Sequence, residues 1–365
     1  MAPRVAFDVT PLQNAHQRRG IGTYVRGLAE RLNAQDDVPL EFWGWRAPLP
    51  FAINPAHRTL LLPTHPMPQH RGAWLFAQAW LRRAAARSDA GAVHVSDPNA
   101  LLILAGRRMM TTVHDLIPLT EGMPSRRVVQ RLGYARYLQA LREVDTLFVN
   151  STDTAAHLAA ATGRPLADIV LAAPGVELRD ATAPAPDALP QFLYVGGPDP
   201  TKNVGTLLEA MALVPDLPER LVIAGHWTRR QRFRLAQRLR AMNLQDRVEH
   251  LGYVSADRLE RLYAGATAVV VPSRREGFGL PVAEAMARGV PVAHSDLAVL
   301  REVSGGHAVT FDPGSAADLA RALRELSGDP ARRRALGAEG RERAAALTWD
   351  DAVAATLARY RRALG

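Results

Sequence analysis

The chain alternates between short β-rich runs and helical runs along almost all of its 365 residues. Strict alternation of strand and helix requires parallel sheets, because each right-handed crossover returns the chain to the same edge of the sheet. Amphipathic periodicity supports the first helix, predicted at 20–32. The predicted strands are 5–9, 40–45, 59–62, 93–96, 111–114, 146–150, 169–173, 191–195, 220–224, 248–251, 268–271, 290–293 and 308–311.

The alternation falls into two series separated by residues 181–190, which are rich in Ala and Pro and have no periodicity. Such a segment is typical of a linker. The sequence therefore predicts two doubly wound domains, 1–180 and 191–346, that face each other across a cleft. Ligands of open α/β sheets bind beyond the carboxyl ends of the strands. We expect the last helix, 347–365, to close the structure, with the first domain as one candidate surface.

Composition restricts the class of protein. Apolar residues make up 47% and charged residues 22%, which is typical of a globular protein. The absence of cysteine excludes disulfides, thiolate metal sites and a Cys nucleophile, and it suits a reducing cytoplasm. The net charge of +9 favours anionic partners. Because the Arg residues are scattered and no binding motif is present, nucleic acid is not an expected partner.

The hypothesis of contact with a membrane depends on one segment of the sequence. No window approaches the ~18 uninterrupted apolar residues of a membrane span, and the first residues lack a signal-peptide core. We therefore expect a cytoplasmic protein. Residues 71–87 combine aromatic side chains with Arg82, Arg83 and Arg87. This helix either packs on the core with a basic outer face or lies at the inner face of the membrane.

The most informative stretch is 272–289, PSRREGFGLPVAEAMARG. A predicted strand ends just before it, and Pro281 suits the first turn of the helix that follows. The loop glycines let the backbone approach a ligand, and the N–H groups at the start of a helix suit a phosphate. Glu276 in the loop and Glu284 one turn into the helix can then bind the hydroxyls of a sugar and of a ribose.

The pair Glu276 and Glu284, with GFGLP after the first, resembles the signature of retaining glycosyltransferases of the GT-B fold, in particular glycosyltransferase family 4. Further segments resemble the family in order along nearly the whole chain: FDVTPLQNAHQRRGIGTYVRGL, VHDLIPL, VNSTDTAAHL, APGVE, YVGGPDPTKNVGTLLEA and RVEHLGYVSADRLERLYAGA. The resemblance implies a GT-B enzyme with two Rossmann-like domains. It also implies transfer of a sugar from a nucleotide-diphosphate donor.

The resemblance implies roles for the residues that match. Glu276 would contact the donor sugar, Lys202 would neutralise the departing diphosphate, and His114 would lie close to the reacting sugar. These three are the expected catalytic residues. The other expected donor-binding residues bind the ribose through Glu284 or approach sugar, phosphates and base with their backbones: Gly20, Gly22, Tyr253, Val254, Gly277, Phe278, Gly279, Leu280 and Glu284.

Two further expectations concern charge. Many relatives pair an Arg with the lysine of the phosphate loop, whereas this chain has Gly197 or Pro198 there, and Arg274 and Arg275 are candidate substitutes. The sequence has no Asp-x-Asp in a metal-binding context. The fold generally needs no metal, so we expect neither metal nor cofactor. The implied mechanism is front-face displacement with retention, in which the departing phosphate oxygen helps to deprotonate the acceptor hydroxyl.

Donor and acceptor are inferred from subgroup features. Family sequences with HDLIPL and GIGTY-like segments resemble mannosyltransferases of polysaccharide and O-antigen assembly. This favours GDP-mannose as donor and a saccharide or lipid-linked saccharide as acceptor. The alternatives are a UDP-sugar transferase, a sugar-nucleotide epimerase and a non-catalytic nucleotide-sugar binding protein. His94 and His226, which also lie near strand ends, are interpreted as core residues.

Overall fold

The computed structural model describes residues 3–63, 73–116, 128–179 and 189–365. Residues 181–188 of the predicted linker, 117–119 of the VHDLIPL segment and 71–72 of the predicted amphipathic helix lie outside these ranges. The chain forms two compact units. The first contains Met1–Gly175 together with Thr348–Gly365, and the second contains Val176–Leu347.

The first unit is built on a parallel seven-stranded sheet in the order β3-β2-β1-β4-β5-β6-β7. Its strands are β1 (Val5–Asp8), β2 (Leu40–Trp45), β3 (Arg58–Leu62), β4 (Ala92–Val95), β5 (Arg108–Val113), β6 (Thr146–Val149) and β7 (Ile169–Leu171). Its helices are α1 (Gly20–Asn33), α2 (Ala73–Ala85), α3 (Val128–Glu143), α4 (Thr152–Thr162) and, numbered in chain order, α12 (Asp350–Leu364).

The C-terminal helix α12 belongs to the core of the first unit. Trp349, just before the helix, packs against Tyr24 with ring centroids 5.6 Å apart. A Cβ at Gly27 would lie 2.2 Å from the Trp349 ring, so only glycine permits this approach. The Tyr360 hydroxyl lies 2.6 Å from Nδ1 of buried His94, whose Nε2 lies 2.8 Å from the Thr112 hydroxyl. The imidazole therefore has both of its nitrogens paired, as expected of a core histidine.

The second unit has a parallel six-stranded sheet in the order β10-β9-β8-β11-β12-β13. Its strands are β8 (Gln191–Val195), β9 (Arg220–Ala224), β10 (Val248–Gly252), β11 (Ala266–Val271), β12 (Val292–Ser295) and β13 (Val309–Phe311). Its helices are α5 (Val204–Ala212), α6 (Arg229–Ala241), α7 (Ala256–Ala264), α8 (Leu280–Met286), α9 (Ala298–Ser304), α10 (Ala316–Gly328) and α11 (Pro330–Ala345).

Each predicted strand is present, and neither of its ends is displaced by more than three residues. The sequence pattern missed α9, which is only seven residues long, and α10, although Ser315 caps it by accepting a hydrogen bond from the Asp318 backbone. One interpretation is wrong: His226 is exposed and not part of the core. It follows β9 but lies in the loop before α6. None of the described helices has the length and apolarity needed to cross a membrane.

We expect Tyr360→Phe to lower the free energy of unfolding by about 1–3 kcal/mol, because it leaves Nδ1 of buried His94 without its partner. The measurement is chemical denaturation monitored by tryptophan fluorescence. The control is Tyr253→Phe, since that ring is 59% exposed. Equal free energies of unfolding for Tyr360→Phe and the parent chain would contradict a stabilising hydrogen bond between Tyr360 and His94.

Candidate functional site

The strand order of the second sheet reverses between β8 and β11. From β8 the chain builds outward to β9 and β10, and from β11 it builds the other way to β12 and β13. The two connections diverge at this point, and open α/β sheets bind ligands beyond the carboxyl ends of their strands at such a reversal. Lys202 follows β8 and Glu276 follows β11, so both lie at this reversal.

The structure brings Lys202 and Glu276 into direct contact. Nζ of Lys202 donates to both carboxylate oxygens of Glu276 at 2.7 Å. The Glu276 side chain is 8% exposed and the Lys202 side chain 33% exposed. The hydroxyl of Ser273 also donates to Glu276 Oε1 at 2.7 Å. A carboxylate with these partners is held in one orientation, and the more exposed ammonium remains accessible to an anion.

Asn203 fixes the loop that carries Lys202. Its backbone has a φ of 56°, in the left-handed region that Asn tolerates better than most residues. Its side-chain amide donates to the carbonyl oxygens of Pro272 and Pro313 at 2.9 and 2.8 Å. Its Oδ1 accepts from Nε of Arg274 at 3.1 Å. One buried side chain thus links the loops after β8, β11 and β13.

The glycine-containing loop leads directly into α8. Gly279 has a φ of 100°, and a Cβ there would lie 2.4 Å from Cδ2 of Leu300, so the position requires glycine. Phe278 is buried, whereas Gly277 and Leu280 are partly exposed. The helix begins at Leu280, so Pro281 lies in its first turn. Among the described residues no acceptor contacts the backbone N–H groups of Gly279 and Leu280.

Glu284 lies on α8 in a separate polar cluster. Its Oε2 accepts from the hydroxyl of buried Tyr263 at 3.0 Å, and burial raises the pKa of its carboxyl. Arg288 donates to both carboxylate oxygens of Glu260 at 2.8 and 2.6 Å, and to the backbone oxygen of Glu284 at 2.6 Å. The Arg288 guanidinium also lies 4.5 Å from the centre of the Tyr263 ring. These contacts hold Glu284 close to α7.

The remaining predicted residues of this unit follow β8 and β10. Tyr253 is 59% exposed and Val254 half-buried, directly after Gly252 with its φ of 73°. The predicted gap in the phosphate loop holds no cation. The carbonyl oxygen of Gly197 accepts instead from the Tyr194 hydroxyl at 2.7 Å. Of the two suggested substitutes, Arg274 is held beside this loop by its bond to Asn203.

In the first unit, His114 follows β5. It is buried, and its ring packs edge-on against Tyr24 with centroids 5.0 Å apart. Its backbone partner is Ser96, while Nε2 has no partner among the described residues. We therefore assign the proton of the neutral ring to Nδ1, on the side of the Ser96 backbone. Burial lowers the pKa of His114 to about 3, so Nε2 is an acceptor for a hydroxyl proton at neutral pH.

The predicted glycines of the first loop lie at the start of α1. Gly20 is exposed and Gly22 is buried. A Cβ at Gly22 would lie 2.3 Å from the carbonyl oxygen of His16, so this glycine allows the preceding turn to pack on the helix. The structure thus gives Gly22 a packing role in its own unit.

Sequence reasoning missed three residues that shape the site: Asn203, Ser273 and Tyr263. Asn203 carried a signal, since Asn between a 3₁₀ turn and a helix is typical of a left-handed residue. Ser273 and Tyr263 carried none, because their partners Glu276 and Glu284 are identified only by tertiary contacts.

Comparison with known proteins identifies the family. Residues 18–180 match the model described as Glycosyltransferase Family 4, and residues 178–343 match the model described as Glycosyl transferases group 1. A D-inositol 3-phosphate glycosyltransferase of Xylanimonas cellulosilytica is 30% identical over 317 residues, which is 80% of this chain and 71% of that protein. An O-antigen chain mannosyltransferase B of Escherichia coli is 32% identical over 174 residues, 46% of this chain and 45% of that protein.

Solved structures show the same fold at lower identity. A sucrose-phosphate synthase from Thermosynechococcus elongatus has a TM-score of 0.82 at 24% identity and covers 99% of this chain and 98% of its own. WaaG, a glycosyltransferase involved in lipopolysaccharide biosynthesis, has a TM-score of 0.77 at 17% identity, with 97% and 99% covered. These similarities, together with the two doubly wound sheets, define a GT-B fold.

The chain therefore belongs to the GT-B glycosyltransferases. Each of its two halves matches one of these family models. Alignment spans about half the length of several curated relatives, including 45% of the E. coli protein.

We expect His114 to stay neutral between about pH 5 and pH 9, because its pKa lies far below the ordinary value. Long-range ¹H–¹⁵N spectra of the ¹⁵N-histidine-labelled protein measure this, with His114→Gln to assign the signal. The predicted spectrum has a protonated Nδ1 and an unprotonated Nε2 throughout. A His114 signal that titrates near pH 6.5 would contradict the buried, neutral assignment.

Proposed function

We propose that this chain is a retaining glycosyltransferase that moves mannose from GDP-mannose to a saccharide or lipid-linked saccharide. The observation that supports this most strongly is the Lys202–Glu276 pair at the strand-order reversal of the second sheet. This pair suits the two parts of a sugar diphosphate. The cation suits the anionic diphosphate, and the carboxylate suits the hydroxyl groups of the sugar.

The proposed donor contacts follow from this placement. Glu276 accepts hydrogen bonds from the sugar hydroxyls, and the backbone N–H groups of Gly277, Phe278, Gly279 and Leu280 approach sugar and diphosphate. Glu284 binds the ribose, and the backbone at Tyr253 and Val254 holds the base. Gly20, Gly22 and His114 complete the proposed set from the first unit, with Nε2 of His114 accepting a sugar hydroxyl proton.

Lys202 has a feature that favours a role in chemistry: it is the only lysine among the 45 Lys and Arg residues of the chain. Everywhere else the chain uses Arg. An ammonium is a compact charge with three rotatable donors, whereas a guanidinium is a planar fork. The single ammonium suits a phosphoryl oxygen whose charge grows as the bond to the sugar breaks.

The proposed reaction is a front-face displacement. The bond from the anomeric carbon to the diphosphate oxygen breaks, and the acceptor oxygen bonds to the same face. The acceptor proton passes to the departing phosphate oxygen. Lys202 stabilises the leaving charge with help from Arg274, whose bond to Asn203 places it beside the same loop. We propose that no metal ion or cofactor is required.

The donor proposal rests on relatives. Two of them are O-antigen chain mannosyltransferases, from E. coli at 32% identity and from Salmonella typhimurium at 35% over 122 residues. A competing donor is a UDP-sugar, because HepE of Anabaena, with a TM-score of 0.75, is solved in complex with UDP and glucose. We further propose a cytoplasmic location.

A donor panel tests the proposal. The purified chain is given GDP-mannose, UDP-glucose, UDP-galactose and UDP-N-acetylglucosamine with EDTA, and slow donor hydrolysis and thermal stabilisation are measured. We expect GDP-mannose to give the largest values. Turnover of UDP-sugars alone would overturn the donor assignment, and loss of activity in EDTA would overturn metal independence.

Variants test the site. We expect Lys202→Gln and Glu276→Gln each to lower kcat by about 10²-fold or more, because each removes a charge placed at the reacting group. The control is Arg240→Gln, which removes an exposed cation from α6 of the same unit. Thermal denaturation checks that each variant folds. Near-normal kcat in both site variants would exclude the assignment.

A further inference from the structure

The two oxygens of the Glu284 carboxylate have different surroundings. Oε2 accepts a hydrogen bond from the hydroxyl of Tyr263 at 3.0 Å, and the Tyr263 ring is fully buried. Oε1 accepts from no donor among the described residues, and it is not one of the buried atoms left without a partner. Since the side chain as a whole is half-buried, Oε1 retains contact with solvent. One oxygen is therefore held from inside the unit, and the other is open to a ligand.

Tyr263 is a permanent donor to this carboxylate. A tyrosine hydroxyl can donate or accept, but an ionised carboxylate only accepts. Burial and the negative charge of Glu284 hold the pKa of Tyr263 well above its ordinary value, so the hydroxyl keeps its proton. A fully buried ring in a close-packed interior cannot turn its hydroxyl toward water. The hydrogen bond thus keeps one direction, from Tyr263 to Glu284.

Arg288 fixes the position of the Tyr263 ring. Its guanidinium lies 4.5 Å from the ring centre, which is typical of a cation–π contact. The same guanidinium donates to both carboxylate oxygens of Glu260 on α7 and to the backbone oxygen of Glu284 on α8. A bidentate pair of this kind restricts the orientation of Arg288. The ring is therefore held between α7 and α8, where its hydroxyl meets the carboxylate.

Three neighbouring side chains act on the ionisation of Glu284. Burial raises the pKa of its carboxyl, whereas the hydrogen bond from Tyr263 and the charge of Arg288 lower this pKa, and the charge of Glu260 raises it. An ionised carboxylate accepts hydroxyl protons at both oxygens, whereas a protonated carboxyl donates from one of them. Tyr263 thus favours the form of Glu284 that accepts.

The other elements packed on α8 direct titratable groups to partners of their own. These bonds join His294 of β12 to Ser295 and Ser304, Arg301 of α9 to Asp296, and Arg341 of α11 to the carbonyl oxygen of Ala287. Strand β11 has no titratable side chain. Among the described residues, the ionisation of Glu284 is therefore controlled from α7 and α8.

We propose that Tyr263 is a positioning residue for nucleotide recognition: its hydroxyl occupies Oε2 of Glu284 and so directs Oε1 to a ribose hydroxyl. The inference rests on the proposed function, in which Glu284 binds the ribose of the donor, and adds the group that orients this carboxylate. Tyr263 itself does not touch the nucleotide. Because the carboxylate is oriented before the donor arrives, less conformational freedom is lost on binding.

Ribose selection tests the proposal. GDP is compared with its 2′-deoxy and 3′-deoxy analogues by isothermal titration calorimetry, and UDP with its own analogues, since the donor base is itself proposed. We expect the parent to bind the better ribonucleotide at least about tenfold more tightly than one of its deoxy analogues, and Tyr263→Phe to reduce this ratio to about threefold or less. Tyr263→Phe keeps the ring that contacts Arg288. An unchanged ratio in folded Tyr263→Phe would overturn the proposal.

The pH dependence of the ratio distinguishes orientation of the carboxylate from packing. Loss of the Tyr263 hydroxyl removes a bond that favours ionised Glu284, so the pKa of Glu284 rises further. Between about pH 6 and pH 9, ribose selection by Tyr263→Phe should be weakest at low pH and recover as the pH rises, with a midpoint above that of the parent. Glu260→Gln removes a charge that raises this pKa, so its midpoint should lie below that of the parent.

A midpoint that stays in place in Tyr263→Phe, or one that moves upward in Glu260→Gln, would overturn the proposal. If Tyr263→Phe fails to fold, Glu260→Gln alone decides, and an unmoved midpoint then counts against the proposal. The matched control is Tyr360→Phe, which removes the hydroxyl of another fully buried tyrosine, in the first unit. An equal loss of ribose selection in Tyr360→Phe would assign the effect to stability and refute the role of Tyr263.

Steady-state kinetics separates Tyr263 from the reacting groups. A contact to the ribose is the same before and during the reaction, so Tyr263→Phe should raise the KM for the donor about tenfold and change kcat by less than about threefold. A fall in kcat with an unchanged KM would contradict the proposed role.

Failure of this inference is distinguishable from failure of the proposed function. Donor hydrolysis by the parent tests glycosyltransfer, whereas the nucleotide pairs test ribose selection without any sugar chemistry. Hydrolysis without ribose selection would leave glycosyltransfer intact and remove the assignment of Tyr263. Ribose selection lost in Tyr263→Phe, in a parent that hydrolyses no donor, would remove glycosyltransfer and retain the assignment.

Discussion

The contact between Lys202 and Glu276 is the interaction on which the account of this molecule depends. A carboxylate that is 8% exposed would be costly to bury alone, and the ammonium at 2.7 Å from both of its oxygens offsets that cost. The same ammonium is the more exposed partner and can turn toward an incoming anion. A diphosphate would therefore compete for Lys202 and leave Glu276 available to the hydroxyls of the sugar.

The pair is held by the architecture of the sheet. Lys202 and Glu276 come from connections that diverge at the reversal between β8 and β11, and Asn203 ties these connections together through Pro272. The first sheet repeats the topology, with Asp8 at the end of β1 and Asp97 after β4 beside its own reversal. The two reversals differ in charge, because Lys202 follows β8 in the second sheet whereas carboxylates follow the central strands of the first.

Much of this could be predicted from sequence. The β/α alternation predicted both parallel sheets, and the Glu276–Glu284 spacing after β11 identified the loop at the reversal. Local pattern could not predict the Lys202–Glu276 contact, since these residues are 74 positions apart and meet only through the order of the strands.

Because Lys202 is the only lysine, its ammonium can be observed directly. Uniform ¹⁵N-lysine labelling should give a single side-chain ammonium signal, and Glu276→Gln should shift it by removing its partner. Addition of GDP-mannose should then move the signal of the parent protein in a saturable manner. An ammonium signal that is unchanged at saturating donor, in a protein shown to bind that donor, would contradict the central claim that Lys202 contacts the diphosphate.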